Sequence, residues 1–223
     1  MGRAGFARLM NGDPSAVALD EAALAISAAL QPGLDEIEWL AAIDLLAGEC
    51  PTPTAEGVAR HLFDTLGFRG NAGEYYDWRN SCLDRVIATR SGIPITLSVL
   101  MIEVARRVGV DCVGVGMPAH FLVGVAGDPD TFFDPFHGGV RLDLAGVRSL
   151  FVNLTGDAPW NDSYVAPTSN RDIVIRMLNN LKAVFRSQHD VVRFAMVMEL
   201  RSELPELAAQ ESDEISAATA VFN

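Results

Sequence analysis

The chain has 223 residues, 49% hydrophobic and 21% charged, a composition that builds one substantial core with a small appended module and excludes a disordered chain. With 17 Lys and Arg against 29 Asp and Glu, the formal charge is −12, so the positive field that nucleic acid or an anionic membrane requires is missing and neither partner is expected. Three cysteines, Cys50, Cys82 and Cys112, form no C-x-x-C pair; an odd, unspaced set suits a reducing compartment, and a cytoplasmic protein is expected.

The N-terminal stretch is not a secretory signal, because Asp13, Asp20 and Glu21 interrupt any apolar run. Asp13-Pro14 reads as the cap and first turn of a helix whose apolar face is Val17, Leu19, Ala23, Leu24 and Ile26. A second helix spans roughly Asp35 to Leu46, with Ile37, Leu40, Ile43 and Leu46 on one side. After CPTPT a third begins at Thr54, places Val58, His61, Leu62 and Leu66 on a stripe and stops at Gly67.

The next segment, FRGNAGEYYDWRNS, is rich in Gly, Asn, aromatic and charged residues, a composition suited to a binding rim. GFRGNAG lacks a following K-[ST] and a preceding strand, so it is no phosphate loop, and no cofactor is expected. Ser81 reads as the cap of a short helix, CLDRVIATR. Ser91 then caps a longer one in which Pro94 is tolerated in the first turn and Gly109 ends the helix behind Arg106 and Arg107, whose charges complement the macrodipole. Its apolar residues, from Ile95 to Val104, surround nearly the whole helix. A helix so patterned is central rather than peripheral.

Three strands are predicted at Cys112–Gly116, His120–Val125 and Thr131–Phe136, the last two joined by the turn AGDPD. A helix follows near Leu144 to Val152. The stretch TGDAPWNDSYVAPTSN marks a boundary, beyond which RDIVIRMLNNLKAVFRSQHD and VVRFAMVMELRSELP form two antiparallel helices. Their stripes are Ile173, Met177, Leu181, Val184 and Phe185 against Val191, Phe194, Val197, Met198 and Leu200. The acidic tail QESDEISAATAVFN lacks apolar periodicity and is expected to be weakly ordered or loosely docked. A helix on an antiparallel sheet is an α+β fold.

The segments YYDWRNSCLDRVIATRSGIPITLSVLMIEVARRVGV, GVGMPAHFLVGV, DPFHGGVRLDL and RMLNNLKAVFRSQHDVVRFAMVMEL resemble the SirB-type bacterial transglutaminase-like family, over about Gly67 to Pro205. The resemblance implies a helical N-terminal part (residues 1–80), a papain-like transglutaminase-like core (81–165) and a tetratricopeptide-like helical hairpin with the acidic tail (166–223). It also implies a cysteine at the start of the core helix, followed by a histidine and an aspartate on adjacent strands. His120 matches the histidine and Asp134 the aspartate. At the expected nucleophile position, near Pro94, there is no cysteine.

Thr96, and less well Ser98, are hydroxyls in that window, and Cys82 precedes the signature. A threonine gains little from the helix dipole because it stays protonated at neutral pH. Losing the nucleophile of a triad enzyme costs about 10⁶ in rate, whereas a positioned base alone supplies about 10² to 10⁴. Those magnitudes favour loss of acyl transfer. The competing reading is an amide-bond hydrolase or acyltransferase using Cys82 or Thr96 with His120 and Asp134.

Tyr75, Tyr76, Arg79, Asn80 and Arg90 frame the signature and suit recognition of a carboxylate or peptide segment, although Asn80 and Arg90 equally suit bracing of the GIPI turn. His120, Asp134 and His137, with Cys112 as a fourth, offer a metal ligand set, but no tight motif supports it and no metal is expected. The leading expectation is a catalytically impaired protein that binds a peptide or protein partner through the old cleft and the helical tail.

Overall fold

The computed structural model describes residues 3–13 and 17–219. Helices α1 (Arg3–Met10), α2 (Leu19–Leu30) and α3 (Glu36–Gly48) open the chain, and α4 (Ala55–Ala59) widens into a π turn over Arg60–Thr65. A two-residue strand β1 (Arg69–Gly70) and a 3₁₀ turn (Trp78–Ser81) lead to α5 (Leu83–Thr89), β2 (Ser91–Gly92) and α6 (Pro94–Arg107). Then come β3 (Cys112–Val115), β4 (Leu122–Val125), β5 (Asp128–Asp134), β6 (Val140–Leu142), α7 (Leu144–Thr155) and β7 (Pro167–Thr168). Helices α8 (Asn170–Ser187), α9 (Val191–Ser202), α10 (Pro205–Gln210) and α11 (Ser212–Thr219) complete the described residues.

Strands β6-β5-β4-β3-β7 form one antiparallel sheet in that order, and β1 pairs with β2 in parallel. The two-residue period of a strand decides what each face covers. Phe121, Val123 and Phe133 join the main core with α6, while Val115, Leu122 and Phe132 pack with Val147 and Phe151 of α7. The sheet is therefore a layer between α6 and α7. Helix α6 is buried from Pro94 to Ala105, as its all-round apolar pattern predicts. At its C-terminus Arg107 reaches Asp20 of α2 (2.6 Å), Asp44 of α3 (2.6 Å) and Glu103 (2.8 Å), tying the first two hydrophobic helices to the central one.

Several local expectations are corrected. Helix α2 starts at Leu19 with Ala18 as its cap, downstream of Asp13; Pro14 lies outside the described residues. Ser81 closes the 3₁₀ turn and Cys82 precedes α5, while Ser91 pairs in β2 and Ile93 occupies the cap position of α6. Pro94 begins α6, where its missing N–H costs nothing. Ile37 is 76% exposed and Val191 60%, so the stripes of α3 and α9 are narrower than their periodicity implies. Within the stretch read as a boundary, β7 pairs against Gly114 and Val115 of the sheet.

The tail is also better fixed than its composition suggests. Lys182 of α8 bonds Glu211 (2.7 Å) and Glu214 (2.6 Å), and the buried Arg201 of α9 bonds both oxygens of Glu211. Arg201, then Lys182, outweigh burial and bring the Glu211 carboxyl down to about 2. Charge pairing docks this segment where apolar periodicity is weak.

Leu100→Ala, at a fully buried α6 position, is expected to lower unfolding free energy by about 2–5 kcal/mol in urea titration. Ile37→Ala is expected to change it by less than about 0.5 kcal/mol, because that side chain faces solvent.

Candidate functional site

His120 lies just before β4, in a turn closed by its own N–H donating to the Met117 carbonyl at 3.3 Å. Ala119 in that turn has φ 62°, a left-handed conformation that costs a non-glycine residue about 1–2 kcal/mol. Asp134 ends β5 and caps the short turn Pro135–His137, its Oδ1 accepting the N–H groups of Phe136 (3.1 Å) and His137 (3.3 Å). Proline after the aspartate suits that turn's first position, and Gly139 closes it: its φ is 71°, and a Cβ there would lie 2.2 Å from Phe63. The sequence DPFHGG thus carries the whole local geometry.

Adjacency of β4 and β5 brings His120 Nε2 to 2.9 Å from Asp134 Oδ2, both side chains being buried. His137 Nδ1 lies 2.7 Å from the same oxygen, with its side chain 53% exposed. Burial alone raises the Asp134 carboxyl, but the hydrogen bonds and charges of His120 and then His137 outweigh it and hold the pKa below the ordinary value. With Nε2 held by the carboxylate, Nδ1 is the His120 nitrogen left for other partners.

A cavity of about 260 Å³ opens beside His120, lined also by Tyr75, Pro94, Ile95, Ala119, Phe121, Arg176 and Asn180. The helix start that faces the imidazole across this space supplies a proline and an isoleucine. Thr96 is fully buried and donates its hydroxyl to the Asn80 carbonyl at 2.5 Å, with a longer contact to the Ile93 carbonyl at 3.4 Å. Ser98 is buried too, and its hydroxyl has no hydrogen-bond partner among the described residues. Cys82 is fully buried with Sγ 3.9 Å from the Trp78 carbonyl. Burial, with a smaller contribution from Asp84, pushes its thiol far above the usual range. Neither Cys82 nor Thr96 makes a hydrogen bond to His120, and the structure leaves both outside the cavity lining.

The binding residues divide. Tyr75 and Tyr76 line a second groove of about 430 Å³ with Ser81, Ile93, Asn180, Ala183, Val184 and Ser187. This groove shares Tyr75 and Asn180 with the His120 cavity. Asn80 is instead a buried brace: its amide donates to the carbonyls of Glu74 (2.7 Å) and Tyr75 (3.4 Å) and accepts from Asn71 (3.0 Å). Arg90, at φ 54°, donates to the Leu66 carbonyl, and Arg79 pairs with Asp77 at 3.2 Å on the surface. Asn80, Arg79 and Arg90 are not among the residues lining either cavity, and loop and turn carbonyls or a local carboxylate engage them. Cys112 pairs with Val125 at the opposite end of the β3–β4 ladder and does not join the histidines.

Arg176 and Asn180 are missing from the residues that the sequence singled out. They lie one helical turn apart on α8, between the apolar positions that drew attention to it. A cation at i with an amide at i+4 is the signal, since both then project from one face. Arg176 donates to the Met117 and His120 carbonyls, each at 2.7 Å, and covers the Phe121 ring at 5.3 Å. No ion pair with a carboxylate is found for it among the described residues, and burial lowers its pKa, partly countered by Tyr75.

A buried His–Asp pair at the meeting of a central helix and an antiparallel sheet defines a transglutaminase-like core. The family profile described as "Transglutaminase-like superfamily" matches residues 18–179, and the chain belongs to that superfamily. A UPF0162 protein of Xylella fastidiosa (strain Temecula1) is 45% identical over 134 residues, covering 57% of this chain and 47% of that protein. The chain thus spans about half the length of such relatives. A UPF0162 protein of Vibrio cholerae is 28% identical over 191 residues (78% of this chain, 69% of that protein), and mouse F-box only protein 21 is 44% identical over 75 (34% and 12%). No solved structure matches. Among the described residues, no helix is long and apolar enough to cross a membrane.

Because the Asp134 pKa is depressed in the folded protein, its contribution is full above the unfolded carboxylate value and is lost as pH falls through the folded one. Asp134→Asn is expected to lower stability at pH 7 by about 1.5–3 kcal/mol and to reduce the loss of stability between pH 5 and the acid limit, read from urea midpoints across pH.

Proposed function

We propose that the chain is a SirB-type member of the superfamily, with a tetratricopeptide-like tail, that has lost acyl transfer and binds a peptide or protein partner through the former substrate cleft. The observation that carries this reading is the start of α6, where Pro94 and Ile95 face His120. An imidazole without a thiol opposite it can hydrogen-bond a ligand but has no nucleophile to activate. The hydroxyl of Thr96 is already committed to Asn80.

The chemistry of the cleft supports a peptide-like ligand. Its outer groove offers two tyrosines, which give large contact area at low entropic cost, beside the aliphatic surface of α8. Its inner end offers Arg176, Asn180 and His120, donors suited to a carboxylate or main-chain carbonyl. The first helix of the C-terminal hairpin thus contributes one wall of the cleft, so tail and core act as one binding surface.

Peptides selected from a displayed random library on the intact protein are expected to compete with one another and to lose at least about tenfold in affinity to Tyr76→Ala, a 69% exposed residue whose loss leaves the core intact. Selected peptides that bind Tyr76→Ala as tightly as the parent, or that are cleaved or joined to an amine during incubation, would contradict the reading.

A further inference from the structure

The sharing of one carboxylate oxygen by two imidazoles is more than a catalytic pair needs. A histidine oriented for base chemistry requires a single acceptor behind it, and His120 has that in Asp134. His137 adds a second ring aimed at the same Oδ2 from the exposed side, and one ligand atom from each of the three residues lies within 4.8 Å of the other two. The two rings are 5.6 Å apart with only 30° between their planes.

We infer that His120, Asp134 and His137 form a binding site for a divalent transition-metal ion of the zinc class, beside the cavity that His120 lines. Two imidazole nitrogens and one carboxylate oxygen are the donor types such ions take, and a three-residue set leaves a coordination position open to water or a ligand. Zinc ligands at about 2.0–2.1 Å in a tetrahedron lie about 3.3 Å apart, so the contacts of 2.9 and 2.7 Å must open by about 0.5 Å. His137 can supply the movement at its own 2.7 Å contact, because its side chain is half exposed; the buried His120–Asp134 contact has to open by an adjustment of that pair itself. Coordination uses one nitrogen of each ring, so when the ion is bound each ring carries its proton on the other nitrogen. Two backbone hydrogen bonds to Oδ1 hold the Asp134 carboxylate while Oδ2 faces the ion.

The short turn that places His137 has defined local chemistry. Pro135 restricts φ at its first position, Gly138 and Gly139 allow the positive φ of 78° and 71° that close it, and the Gly139 N–H donates to the Asp134 carbonyl at 2.8 Å. Preorganisation of this kind is what a metal site needs from its scaffold. This inference goes beyond the proposed peptide binding and does not depend on it.

Isothermal titration of the metal-free full chain with zinc chloride is expected to show one site with a dissociation constant of about 10 µM or tighter. His137→Ala, made at a half-exposed position and checked for an unchanged circular dichroism spectrum, is expected to weaken it at least about tenfold. Histidine ring resonances of His120 and His137, but not of His61 and His189, are expected to shift on addition of zinc. Absence of binding, or equal binding by His137→Ala, or shifts confined to His61 or His189, would overturn the assignment.

Discussion

Burial of α6 on every side is the constraint from which the architecture follows. A helix that is apolar all round must be surrounded, and its residues from Pro94 to Ala105 are covered by helices from the first third of the chain, by the sheet and by α8. The hydrophobic cluster around it draws on residues from Phe6 to Leu207. Arg107 then fixes the far end of α6 against α2 and α3, so the helix start is held at a defined place opposite the sheet. That place is where His120, in the turn before β4, meets Asp134 at the end of β5.

The same constraint explains what the site has become. A buried helix start with a thiolate would be stabilised by the dipole and an imidazole. Here the first turn offers a proline ring and an isoleucine side chain, and the nearby hydroxyl of Thr96 serves the Asn80 carbonyl, tying the tyrosine-bearing loop to α6. Cys82 is kept inert by burial. The charged groups lie on the other wall, where Asp134 gathers two histidines and Arg176 crosses the loop that carries His120.

Much of this was legible in the sequence. The all-round apolar pattern of residues 93–105 identifies the central helix, and the order of that helix, His120 and Asp134 gives the fold and the pair. What escaped has physical reasons. Strands β6 and β7 are three and two residues long, too short for alternation to register, and their place is set by pairing with β5 and β3. Ile37 and Val191 fit their apolar stripes yet face solvent, because periodicity sets a direction on a helix and not the width of what covers it. Asn80 and Arg90 suit either cleft lining or bracing in the sequence, which cannot show that nearby carbonyls accept from their donors. Arg176 and Asn180 lay hidden within a hairpin that packs directly on the core.

The central claim, that nothing nucleophilic faces His120, is tested most directly by intact-protein mass after incubation with a thiol- and hydroxyl-reactive electrophile panel at pH 7.5. The account predicts no adduct on the buried Cys82, on Thr96 or on Ser98 while the protein stays folded. A single stoichiometric adduct on any of these three, abolished by His120→Ala, would contradict it.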